Sequence, residues 1–116
     1  MQAVLFHDFD LISSYYGKIP GGPYGSDHHS EVYRMLESDR DPLDEDFTDD
    51  VNRVCDTMLG YGDIDFFDTK QCKLLAGWPE ARLMRPISPR LATIYRKLDE
   101  FARRAVAYGT GMVIEL

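Results

Sequence analysis

The spacing of apolar residues divides the chain into segments of different period. Val4-Leu5-Phe6, followed by Phe9 and Leu11-Ile12, is a short apolar run of the kind a strand presents. Residues 15–26 contain four glycines and two prolines. Glycine frees the backbone and proline removes a donor, so a loop is expected there. A first helix is expected at about 27–37, with Val32, Met35 and Leu36 on one side and Asp41-Pro42 closing the region. A second is marked by Thr48 as N-cap and by Asp49 and Asp50 in the first turn, at the positive end of the helix dipole. Its stripe is Val51, Val54, Cys55, Met58 and Leu59, and Gly60 is its expected stop.

After a turn at Gly60-Tyr61-Gly62, residues 64–67 are short and apolar. A third helix starts with Asp68 as cap and Gln71 three residues on, a variant of the capping box, and carries Cys72, Leu75 and Ala76. Gly77-Trp78-Pro79 ends or kinks it before residues 80–84. The fourth helix has the clearest signals. Ser88-Pro89 places a cap before a proline at the first helical position, and Leu91, Ile94, Tyr95, Leu98, Phe101, Ala102, Ala105 and Val106 follow helical spacing. Gly109 supplies the left-handed stop, and residues 112–116 are expected to be extended. The reading is a single globular domain over 1–116 of α+β class, mostly helical with about four helices, and with short N-terminal and C-terminal strand segments.

Charge changes the picture more than composition does. The chain has 116 residues, is 44% hydrophobic and 28% charged, and carries a formal net charge of -7. That apolar content can build a core, and an acidic balance argues against nucleic acid as a partner, since neutralising phosphates needs a basic face. The net value conceals an asymmetry. Residues 1–68 hold 16 acids against 4 bases, whereas residues 69–116 hold 4 acids against 9 bases. Eight of the acids fall between residues 37 and 50. The two halves could neutralise each other across the fold or between two copies in a homodimer. No stretch approaches the roughly 18 apolar residues a membrane helix needs. No basic leader with a cleavage site opens the chain, and Cys55 and Cys72 are too few for a disulfide framework. A cytoplasmic protein with two buried thiols is expected.

Three groups of residues invite chemical readings. His7-Asp8-Phe9-Asp10, after an apolar run, resembles the strand-ending aspartate pair of haloacid-dehalogenase-type phosphatases. The small residues that should follow are replaced by Leu11-Ile12. Asp27, His28, His29 and Glu31 have metal-ligand chemistry, but adjacent histidines on a helix point about 100° apart and need a third segment to share an ion. A small metal-dependent hydrolase using Asp8, Asp10 and His28 is the enzymatic alternative. Residues 39–50 begin like a calcium loop but place Asp44 where the loop needs glycine and Asp50 where it needs glutamate. No catalytic, cofactor or metal residue is therefore assigned. The acidic segment is read instead as an interaction surface: Glu37, Asp39, Asp41, Asp44, Glu45 and Asp46, with Tyr15, Tyr16 and Tyr24 as aromatic anchors.

The stretch from Phe66-Phe67-Asp68-Thr69 through Gly77-Trp78-Pro79-Glu80-Ala81-Arg82, with Ser88-Pro89-Arg90-Leu91 through Tyr95, Leu98, Phe101 and Ala105 to residues 109–116, carries a family resemblance. It resembles the small bacterial immunity proteins, antidotes to polymorphic or contact-dependent growth inhibition toxins, over roughly residues 62–116. Pro79 after Trp78 departs from the continuous helix expected there. The resemblance implies a non-enzymatic cytoplasmic protein of toxin–antitoxin type. Such a protein binds a cognate toxin domain with a basic surface, for example a nuclease, and occludes its active site without engaging nucleic acid or membrane. A generic acidic adaptor or regulatory domain is the alternative binding reading.

Overall fold

A computed structural model of the chain describes residues 1–10, 12, 14–25 and 29–116. Its strands are β1 (Gln2–Phe6), β2 (Tyr15–Tyr16), β3 (Ile19–Pro20), β4 (Ser30–Arg34), β5 (Ile64–Phe67) and β6 (Met112–Glu115). Its helices are α1 (Arg40–Leu43), α2 (Asp49–Cys55), α3 (Thr69–Leu75), α4 (Trp78–Arg82) and α5 (Pro89–Tyr108). A single 3-10 turn leads into α1 and a π-helical turn joins α1 to α2, so residues 37–55 wind without a break. Among the described residues there are thus three helical segments, 37–55, 69–82 and Pro89–Tyr108, the second interrupted at Gly77.

The expected mostly helical fold with about four helices is corrected on two points. The helix expected at 27–37 is β4 where it is described: Val32 lies opposite Val4 and Tyr33 opposite Ala3 in an antiparallel pair with β1. Val32, Met35 and Leu36 do fall at helical spacing, and Ser30-Glu31-Val32-Tyr33 shows no polar-apolar alternation, so pairing with β1 makes the segment a strand against its local period. Second, the strand segments at the two ends are not flanking pieces. They are the two central strands of a four-stranded antiparallel sheet ordered β4-β1-β6-β5, beside a separate β2-β3 ribbon. Local periodicity carries no information about residues as far apart as Ala3 and Ile114 facing each other on neighbouring strands.

The sheet has two unequal faces. Ala3, Leu5, Phe67, Met112 and Ile114 point to the helices, where they meet Leu43, Phe47, Val51, Cys72, Leu75, Ile94, Tyr95, Leu98 and Phe101. Val4, Phe6, Phe66 and Val113 point the other way and are covered by Phe9, Ile12, Ile19 and Tyr24 from the loop after β1. Burial on both faces makes β1 and β6 near-continuous apolar runs.

The helix ends follow local chemistry. Asp68 accepts from Gln71 N at 2.8 Å while Gln71 Oε1 accepts from Asp68 N at 2.9 Å, a reciprocal cap that fixes the start of α3. Ser88 caps α5, and Gly109, at φ 68°, ends it. By contrast, Thr48 is an interior helical residue rather than a cap, and α2 stops at Cys55 instead of running to Gly60. Asp56 is left-handed at φ 56°. The Asn52 amide takes over from the helix: Oδ1 accepts from Leu59 N and Thr57 Oγ1, both at 2.9 Å, and Nδ2 donates to Leu59 O at 2.8 Å. A side chain that offers the backbone such partners competes with continued helix.

Candidate functional site

The acidic segment separates into charges used inside the molecule and charges that face out. Asp39 is buried. Arg90, reaching from the first turn of α5, donates Nε to Oδ1 at 2.9 Å and Nη2 to Oδ2 at 2.8 Å, and Leu36 N donates to Oδ2 at 2.7 Å. The Arg90 bonds above all hold the Asp39 carboxyl below the usual carboxylate range, against the opposing effect of burial. Asp46 accepts from Arg82 Nε at 3.0 Å and from Tyr95 Oη at 2.6 Å. It thereby ties the π-helical turn to α4 and α5 beside a ring cluster in which Phe47 stacks on Tyr95 and Trp78 lies edge-on to both. Asp50 accepts from Trp78 Nε1 and pairs with Arg53; the Trp78 bond is the main reason its carboxyl is held low. With Glu31 gripped by Arg104, the acidic and basic halves are joined through Asp39–Arg90, Asp46–Arg82 and Glu31–Arg104.

The other acids point elsewhere. Glu37 is exposed and, among the described residues, pairs only with Arg40 on its own turn at 2.9 Å. Asp41 and Glu45 are exposed and Asp44 is half-buried, each without an ion-pair partner among the described residues. The Asp41 carboxylate pushes the neighbouring Tyr61 phenol up, and the Arg40 guanidinium lies 5.3 Å from the centre of the Tyr61 ring. These contacts attach the loop 56–63 to the outer side of α1.

That loop carries the residues the sequence reading missed. Met58 is 82% exposed and Tyr61 59% exposed. Helical spacing puts Met58 on the buried stripe of the second helix, and the early stop at Asp56 is what turns it outward. The loop is nonetheless fixed at several points. Asn52 holds Thr57 and Leu59, Gln71 Nε2 donates to Asp56 O at 2.9 Å, and Leu116 N donates to Asp63 O at 2.9 Å. Asp65, buried at the start of β5, accepts from Met58 N at 2.8 Å and pairs with Lys18 at 3.2 Å. Lys18 belongs to the turn of the β2-β3 ribbon, so Asp65 fastens the ribbon to the loop. The ribbon brings Tyr16, 83% exposed, and Tyr15, 53% exposed. Tyr24 serves the fold instead: its ring lies edge-on to Phe6 at 5.8 Å and its hydroxyl donates to Pro20 O at 2.5 Å.

The result is one extended surface made from the β2-β3 ribbon, the loop 56–63 and the outer side of α1. Large amphipathic side chains stand out from an anchored backbone, with Asp56 and Asp63 on the same loop and Asp41 beside Tyr61. The Gly60-Tyr61-Gly62 turn was the available sequence signal, since an aromatic residue between two glycines has no core to fill locally.

The residues of the hydrolase reading do not converge where they are described. The Asp8 carboxylate accepts from Asp10 N at 2.8 Å and closes its own turn. His28 and Asp27 lie outside the described residues. His7 Nε2 meets Glu31 Oε2 at 2.5 Å, and the same carboxylate pairs with Arg104. Among the described residues no three His, Cys, Asp or Glu side chains gather to hold a metal ion. No helix among them is long and apolar enough to cross a membrane. Comparison with protein-family models, curated proteins and solved structures finds no match for this chain.

Proposed function

We propose that this chain is a binding protein of the immunity type, which occludes a cognate toxin domain by docking it on the surface formed by the β2-β3 ribbon, the loop 56–63 and α1. The observation that carries the reading is the exposure of Tyr16, Met58 and Tyr61 on backbone held by Asn52 and Asp65. Tyrosine and methionine are enriched where proteins meet, and anchored loops lose little entropy on binding. The carboxylates at its margin, Asp41, Asp44 and Glu45, favour a partner with a basic contact surface, such as the substrate cleft of a nuclease. Asp39 and Asp46 are withdrawn from the docking set because their charge is already met by Arg90 and Arg82. Cys55 and Cys72 are both free and buried, which suits the cytoplasm, where thiols stay reduced.

The test is co-expression with the protein encoded beside this chain, followed by size-exclusion chromatography and a growth assay. The reading expects a stable complex and restored growth. A well-folded chain that neither binds nor protects refutes it.

A further inference from the structure

We propose that the outer edge of β4 is a second, separate docking site, one that takes an extended acidic strand from a partner protein by continuing the sheet. The two edges of the sheet are finished differently. In the β1-β4 pair, Met35 N donates to Met1 O at 3.0 Å and His7 N donates to His29 O at 2.8 Å. With the register between them, residues 29, 31, 33 and 35 turn their backbone groups toward β1, and residues 30, 32, 34 and 36 turn theirs outward. Ser30 N is met by Gly25 O at 3.1 Å and Leu36 N by Asp39 Oδ2 at 2.7 Å. Between these two capped ends, the N–H and C=O groups of Val32 and Arg34 meet no partner among the described residues.

The opposite edge, β5, is plugged. Leu116 N donates to Asp63 O, so Ile64, Phe66 and Asp68 are the outward residues there. Their N–H groups donate to Asp63 Oδ1, Asp65 Oδ1 and Gln71 Oε1 at 2.8, 2.8 and 2.9 Å. Side-chain acceptors along an edge protect it from another strand, and between its two capped ends β4 has none among the described residues.

A groove of about 390 Å³ runs along the open edge, lined by Tyr24, Gly25, Val32, Arg34, Lys97 and Phe101, with Glu31 on its wall. Its charge selects the occupant. Arg34 is exposed and, among the described residues, makes only a 3.4 Å contact with the Gln2 amide oxygen, while Glu31 is already taken by Arg104 and His7. Lys97 shares Glu100 with Arg104. The groove therefore offers positive charge beside unpaired backbone groups, the two requirements of an acidic strand that adds to a sheet.

The experiment is amide hydrogen exchange followed by NMR on the intact chain, alone and with a synthetic capped octapeptide of alternating Val and Glu. A matching Val/Lys peptide is the control. The proposal expects the Val32 and Arg34 amides to exchange freely in the chain alone and to slow at least tenfold with the acidic peptide. The Ile64 and Phe66 amides should be unchanged. Arg34→Glu leaves the backbone edge intact and should weaken the acidic peptide at least tenfold. Val32→Pro deletes an outward donor and should abolish protection at Arg34. If that variant does not fold, Arg34→Glu decides the matter. The proposal is overturned if Val32 and Arg34 show no added protection, if both peptides protect equally, or if Arg34→Glu has no effect. Protection in the chain alone that grows with protein concentration also overturns it, assigning the edge to a second copy.

Discussion

Replacing Asp39 by alanine should damage the fold rather than binding, and the structure gives the size of the effect. Its carboxylate is 4% exposed and receives two bonds from Arg90 and one from Leu36 N, at 2.9, 2.8 and 2.7 Å. Removing one partner of a fully buried ion pair costs about 3–5 kcal/mol, because the other charge is stranded. Here the Arg90 side chain is 44% exposed and can rehydrate, so the loss falls to about 2–3 kcal/mol. Asp39→Asn keeps an acceptor for Leu36 and should cost about 1–2 kcal/mol. The pH dependence has a definite sign. Arg90 lowers the Asp39 carboxyl in the folded chain, so its stabilisation is full above the unfolded value of about 4 and fades as pH falls through the lowered one. Urea unfolding should therefore separate wild type from Asp39→Asn at pH 7 and bring them together on acidification below about pH 4. A difference under about 0.5 kcal/mol at pH 7, the ordinary scatter of surface substitutions, would refute the reasoning. So would a gap that widens with acid.

Further outcomes follow from the same contacts. Leu98→Ala, at a position 1% exposed between α5 and the sheet, should cost roughly 2–5 kcal/mol in thermal or urea unfolding. Burial pushes the Cys55 and Cys72 thiols up to about 11 and about 12, so a thiol reagent at pH 8 should label neither until urea unfolds the chain. Prompt labelling of the native protein would contradict their placement. Asp65→Ala should release the β2-β3 ribbon and the loop 56–63. Exchange at the Met58 and Phe66 amides should quicken while the Val113 and Ile114 amides stay protected.

The helices whose ends are written in short-range chemistry were legible in the chain. The Asp68–Gln71 box, Ser88-Pro89 and Gly109 set boundaries without help from distant residues, and α3 and α5 lie where those signals put them. The segment 27–37 failed because Val32, Met35 and Leu36 carry a helical period that tertiary pairing overrides, and the partner that selects the strand is β1, about thirty residues away. The second helix failed at both ends. Residues 37–55 wind through Thr48 by way of a π turn, and Asn52 draws the chain out of the helix before Met58. The candidate surface was legible in part: Tyr15, Tyr16, Asp41 and Glu45 face outward, whereas Asp39, Asp46 and Tyr24 are held inside contacts. An acid's type does not reveal whether an arginine fifty residues later will reach it.

The central claim is that the acids left outward on α1 and the π turn steer a basic partner to the anchored loop. Its most direct measurement is stopped-flow association with the protein encoded beside this chain, comparing wild type with the variant carrying Asp41→Asn, Asp44→Asn and Glu45→Gln. Steering by exposed charge acts chiefly on the association rate and is screened by salt. Association at low ionic strength should slow about tenfold in the variant, with unfolding stability nearly unchanged, and the difference should shrink as salt is added. An association rate equal to wild type at low salt would contradict the account.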